Sequence, residues 1–247
     1  KRKVNKIMYR EKYVPEFYIE DHAVIYALMA KYAQKECGEQ GLGSVKNATI
    51  RYAKERGLRM AMRASADGEA LTPNNYMAYG EWADFKKTGK AVVISVTPEY
   101  RTNSLACGWC DAWKKHDLLE YGKIYCTWID KNLVKGFNPQ NELGIDSILS
   151  FGEECCAFHW KGAKFANEGE LLANRSKKAA LAPRVLKDFL YHTGHIFGTM
   201  AREFYIDLGL EKGNCIINQA LAEYREKFGS EKTNAMIKES KQDFLKI

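Results

Sequence analysis

Proline is scarce in this 247-residue chain, at 5 residues, and 19 glycines are too few for a fibrous or linker-like sequence. No apolar run approaches the ~20 residues needed to cross a bilayer, so no membrane span is expected. The amino end as given lacks a charged segment leading into an apolar core and a small-residue cleavage site; a cytoplasmic location is expected. Also lacking are internal repeats, low-complexity tracts, and any regular strand–helix alternation with a glycine-rich phosphate loop. A doubly wound nucleotide-binding fold is thereby excluded, and no nucleotide cofactor is expected.

Charge of one sign is short over most of the chain. The net charge is +7, but the first twelve residues set six basic side chains against Glu11 alone. Those residues carry +5 of the total, and the rest is nearly neutral. Nucleic-acid binding requires several phosphates to be neutralised on one folded face, so no nucleic-acid partner is expected. The expected organisation is a flexible basic tail over 1–12 and a single domain over 13–247.

What is present is 46% hydrophobic and 28% charged residues, the composition of a globular protein, with seven cysteines. An odd number in a chain of this length argues against a disulfide framework. Five of the seven fall between Cys107 and Cys156, and Cys155 and Cys156 are adjacent. Cys107 and Cys110 form one C-x-x-C. No second one follows, and structural zinc requires four tetrahedral ligands, so no metal is expected.

Periodicity predicts a helix over Ile19–Gln34, with Ala23, Ile25, Leu28 and Met29 inside and His22 in its first turn. Ser44 is placed to cap a second helix, ending near Gly57. A turn at Thr72–Asn75 precedes a third, aromatic helix carrying Tyr79, Trp82 and Phe85. The β-branched stretch Ala91–Val96 reads as a buried strand. Short and long helices follow around Trp109–His116 and Leu118–Lys135, the second stopped by Gly136. Leu143–Phe151 and Cys156–Trp160 read as a β-hairpin. Pro183 is placed to open a long helix, on which His192 sits at the edge of the inner stripe and His195 faces solvent. The remaining carboxyl-terminal segment reads as exposed helix. Few strands, clustered centrally and flanked by helices, predict an α+β fold with a small, mainly antiparallel sheet.

Cys126 and Asp130 are four apart on the predicted central helix, so their side chains share a face. A carboxylate beside a thiol can orient it or take its proton, although its charge raises the thiol pKa. Cys107 lies at a helix amino terminus, where a thiolate is favoured. The hairpin after Pro139 can return Cys156 toward the same helix.

Taken together these residues resemble the L-2-amino-thiazoline-4-carboxylic acid hydrolase family. "YAKERGLRMA" at Tyr52–Ala61 is similar to its amino-terminal helix motif with an Arg-Gly pair. The blocks "CGWCDAWKKHDLLEYGKIYCTWIDKNLVKGFNP" from Cys107 and "SILSFGEECCAF" from Ser147 resemble five family elements in order. Gly108 stands where the family pattern has proline, and the doubled Cys155–Cys156 is a second departure. The resemblance implies hydrolytic opening of a cyclic amidine, thiazoline or lactam, without a cofactor. It implies catalytic roles for Cys156, Cys126, Asp130 and Cys107, with Asn138 and His22 as substrate-binding residues. The expected partner is a small-molecule substrate; homo-oligomerisation is left open. A fainter similarity, to binding domains of the vinyl-reductase type, supplies the alternative of a non-catalytic small-molecule-binding protein.

Overall fold

The structure, a computed structural model, describes residues 15–247. The expected basic tail, 1–12, lies outside the described residues. The fold is α+β: among the described residues, six helices with a four-stranded antiparallel sheet inserted among them. Among the described residues no helix is long and apolar enough to cross a membrane.

Helix α1 (Ile19–Ala66) joins the first two predicted helices and continues past Gly57. Its two limbs meet at Gly38, whose φ of 53° and ψ of −132° interrupt the helix where glycine alone is unstrained. Ser44 is therefore a buried position inside the second limb, not a cap. Helix α2 (Pro73–Ala78), capped by Thr72, is short. Tyr79, Trp82 and Phe85 follow it in turns and irregular chain rather than riding a third long helix.

The sheet contains β1 (Lys90–Ser95), β2 (Tyr100–Ala106), β3 (Glu142–Ser147) and β4 (Cys156–Lys161), in the order β1-β2-β4-β3. β1 is an edge strand and mostly exposed, which corrects the expected buried strand. Its β-branched content reports strand propensity, which is satisfied by one face and one neighbour. β2 was not legible: it is rich in polar residues, and its partner β4 lies more than fifty residues away. The β3–β4 hairpin is present, but its connection is longer than three residues and contains a 3-10 turn, Leu149–Phe151.

Helices α3 (Gly108–Lys115) and α4 (Leu119–Phe137) follow the sequence expectation. α5 (Glu168–Val185) holds Pro183 in its last turn, so proline does not open the long helix. That helix, α6 (Phe189–Glu239), starts at the Asp188 cap, whose carboxylate accepts from the Tyr191 amide at 2.8 Å. α6 is broken at Gly209 and Gly229. Its later part is not simply exposed: Ile216, Ile217, Ala220, Tyr224 and Met236 are buried. The charges alternate on the outer face only.

The main core is a cluster shared by α1, α3, α4 and α6, including Tyr26, Leu28, Met29, Trp113, Tyr125 and Phe204. α1 and α4 cross at contact distance between backbones. A Cβ on Gly57 would stand 2.3 Å from the Leu133 carbonyl oxygen, and one on Gly136 would stand 2.7 Å from the Lys54 Cα. Gly136 thus serves helix packing rather than helix termination, and α4 runs on to Phe137. The crossing fixes Arg56, next to Gly57, beside the α4 face that carries Asp130. Gly57→Ala is expected to destabilise by about 1–3 kcal/mol or more, read as a lower melting temperature, because backbone rather than a flexible side chain must move.

Candidate active site

Two predicted faces meet over a void. On α4, Tyr125, Cys126, Ile129, Asp130 and Leu133 repeat at helical spacing and turn toward the sheet. On the sheet, β4 presents Cys156, Phe158 and Trp160 at alternate positions, and β2 and β3 add Ser104 and Ile145. The space between them is a cavity of about 540 Å³. Arg56 and Met60 of α1 line one end; Cys107 and Trp109 at the start of α3 line another side. Ligand pockets are typically about 300–1,000 Å³.

Cys107, Cys126, Asp130 and Cys156 all line this cavity. Asn138 and His22 do not. The Asn138 side chain bridges its own loop, donating to the Leu71 carbonyl at 2.9 Å and accepting from the Gln140 amide. His22 is buried behind the wall. Its Nδ1 accepts from the Trp109 indole N–H at 3.0 Å, so its proton sits on Nε2 and is directed at the Tyr52 hydroxyl, also 3.0 Å away. Burial drives the His22 pKa well below its usual value, and the ring stays neutral. His22 therefore orients Trp109.

The three thiols sit in different surroundings. Burial pushes Cys126 well above the usual thiol range, and the charges of Cys107, Asp130 and Cys156 push it further; the neighbouring Ser150 opposes them. Burial also raises Cys107 to about 11, although the Trp109 and Cys110 amides at the helix start favour its thiolate. Cys156 is the least enclosed of the three. Burial raises it, the Leu149 amide donates to its Sγ at 3.3 Å and pulls it back, and the Asp130 charge raises it again.

Burial raises Asp130 to about 6, and only Arg56 opposes the shift. Among the described residues its carboxylate makes no hydrogen bond. A carboxyl group raised to about 6 beside thiols can exchange protons with them near neutral pH.

The electrostatics of the cationic end escaped the sequence reading. Arg56, Arg59 and Arg63 share one buried face of α1, and all three close on the fully buried Glu81. The contacts are 3.1 Å from Arg56 Nε, 2.9 and 2.5 Å from Arg59, and 3.0 Å from Arg63. One carboxylate holds three guanidiniums, which leaves local positive charge in excess. Its pKa is held far below the usual range by Arg59 and Arg56 against the effect of burial. Only the Nε of Arg56 is used in this cluster, and the guanidinium lines the cavity. The spacing i, i+3, i+7 of three arginines within an apolar helix was the available clue; Arg56 itself is the arginine of the Arg-Gly pair.

His192 and His195 correct the sequence expectation, since both are buried. His195 Nε2 pairs with Glu55 at 2.7 Å and its ring stacks on Phe244, while burial lowers its pKa to about 4. His192 Nε2 meets the Glu81 carbonyl oxygen at 3.2 Å. Neither lines the cavity. Among the described residues no group of three or more His, Cys, Asp or Glu side chains has metal-binding geometry.

The α+β fold thus holds a ligand-sized cavity lined by three thiols, a carboxyl group raised to about 6 and a guanidinium. Residues 18–160, more than half of the chain, match the L-2-amino-thiazoline-4-carboxylic acid hydrolase family, and the chain belongs to that family. The match spans α1 to β4 and every cavity-lining thiol. No curated protein and no solved structure matches the chain.

Proposed function

We propose that this cavity hydrolyses a small cyclic amidine or related heterocycle carrying a carboxylate, 2-amino-thiazoline-4-carboxylate being the reference compound. The observation that supports this reading is the placement of Asp130, titrating at about 6, among Cys126, Cys156 and Cys107, with Arg56 in the same cavity. The substrate carboxylate pairs with the Arg56 guanidinium, of which only Nε is engaged by Glu81. That contact aims the ring at the thiol side.

In this reading Cys156 is the nucleophile. It is the least desolvated thiol and already accepts an amide hydrogen bond, so its thiolate forms most readily. As Sγ bonds to the amidine carbon, the thiol proton passes to Asp130. The ring C–S bond then breaks, and the departing sulfur takes a proton from Asp130 or Cys126. Water adds to the same carbon, one of its protons going to the amidine nitrogen and the other, through Asp130, to the departing Cys156 sulfur as its C–S bond breaks, and the product is a carbamoylated cysteine with its thiol free. The net change is one water added.

The test is a panel of 2-amino-thiazoline-4-carboxylate, other cyclic amidines and lactams, with ring opening followed by mass spectrometry. Cys156→Ser is expected to lower turnover by about 10²-fold or more while melting cooperatively. Near wild-type turnover in Cys156→Ser and Cys126→Ser alike refutes the thiol mechanism. A blank across the panel, with tight binding of an apolar ligand, favours the non-catalytic alternative.

A further inference from the structure

The cavity is larger and more cationic than a single carboxylated five-membered ring requires. At about 540 Å³ it falls among pockets for drug-sized ligands. The reference thiazoline fills only a fraction of it. The remaining wall is aromatic: Tyr76 lies 5.8 Å from Trp160, Phe158 lies 6.0 Å from Trp160, and Trp82 meets Trp109 edge-on at 5.2 Å. Planar apolar groups pack well on such surfaces.

The same cavity holds a second cation. Lys178 of α5 lines the cavity; the residue is exposed, and its ammonium lies over Gly80, 3.4 Å from where a Cβ would lie. Among the described residues no carboxylate lies within 4 Å of it, and the surrounding protein lowers its pKa. The other charged groups lining the cavity do not answer it. Glu81 is held by three arginines, Asp130 lies among the thiols, and Asp84 accepts from the Gly89 amide at 2.6 Å and from the Thr88 hydroxyl at 3.1 Å. Lys90 adds a further cation. Residue 178 also lies outside residues 18–160, which match the family.

That helix is held largely by polar ties. Lys177 reaches Glu69 at 2.6 Å and Asn75 at 2.9 Å, and Arg184 grips Asp67 through both of its terminal nitrogens. Only Leu171 and Val185 of its 18 residues are buried.

We infer that the substrate of this chain is a dianion: a carboxylated heterocycle extended by a planar apolar arm that ends in a second acidic group, bound by Lys178. The inference rests on the hydrolytic reading for the ring end and adds the arm. Arg56 takes the ring carboxylate, the aromatic wall takes the arm, and Lys178 takes its terminus.

The probes are 2-amino-thiazoline-4-carboxylate with an N-benzyl arm and the same compound with a para-carboxylate on that arm. Binding of each to the full chain is measured by calorimetry, in an Asp130→Asn background so that turnover is suppressed. The carboxylated arm is expected to bind more tightly by about fivefold or more. Lys178→Met abolishes that ratio, and Lys178→Arg retains it. Equal affinities in the parent protein, or an intact ratio in Lys178→Met, overturn the inference. Ring opening of both probes by the wild-type chain is scored separately. A Lys178-dependent ratio without ring opening refutes the hydrolytic reading and leaves the acid-binding subsite standing.

Discussion

Replacing Asp130 by asparagine is expected to stabilise the protein at neutral pH while removing most of its turnover. In the unfolded chain an aspartate titrates near 3.8, whereas burial raises Asp130 to about 6 in the folded protein. Below the lower value both states hold the proton, and the residue is neutral in each. Between the two values the folded state retains a proton that the unfolded state releases, so stability falls as pH rises. Above about pH 6 the folded protein carries a desolvated charge whose penalty is complete. A rise of that size corresponds to about 3 kcal/mol, an upper figure because the carboxyl still faces an open cavity. The asparagine amide carries no such penalty. The melting temperatures of variant and parent are expected to coincide near the lower pH and to separate, variant higher, above about pH 6. Turnover is expected to drop by about 10²–10⁴-fold, the usual contribution of a positioned acid–base group. A variant less stable than the parent at neutral pH contradicts the assignment of Asp130 as a strained, functional carboxyl group.

Glu81→Gln is expected to act in the opposite direction and to affect the whole fold. Glu81 is fully buried and is the shared counter-ion of Arg56, Arg59 and Arg63. The amide keeps the shape and loses the charge, leaving three guanidiniums to repel one another away from water. Breaking a buried ion pair from one side typically costs about 3–5 kcal/mol. The expected result is a marked loss of stability in urea or thermal melts, and with it loss of the fixed Arg56 position. Glu81 is held far below the usual carboxylate range, so its contribution is full above the unfolded value of 4.5 and is lost as pH falls below it. Acid unfolding of the parent should begin there, and the variant should lack that transition. A variant melting within about 1 kcal/mol of the parent contradicts the counter-ion role.

These two residues also mark how far the sequence was readable. Cys126 and Asp130 were legible because four residues on a helix bring side chains to one face, and the α4 periodicity of Tyr125, Ile129 and Leu133 was strong. Cys156 was legible because the hairpin after Pro139 is a local element that returns its strand toward that helix. The α+β class followed from the same local patterns. Glu81 was not legible, since nothing around it predicts three arginine partners from a helix twenty residues earlier. β2 escaped for the same reason: a polar strand is defined by a distant partner, Cys156–Trp160, and not by its own alternation. His195 was misjudged as solvated because the helical wheel counts one inner stripe. α6 is covered on a second side, where Glu55 and Phe244 enclose the ring. Asn138 showed the polar side chain a ligand contact needs, but its loop uses it to tie Leu71.

The most direct test of the hydrolytic assignment is ring opening of 2-amino-thiazoline-4-carboxylate by the wild-type chain in oxygen-18 water at neutral pH, read by mass spectrometry. The expected product is heavier than the substrate by one water, with a free thiol and a single heavy oxygen on the former amidine carbon. An intact ring after prolonged incubation with folded protein, or a product carrying no label, contradicts the assignment.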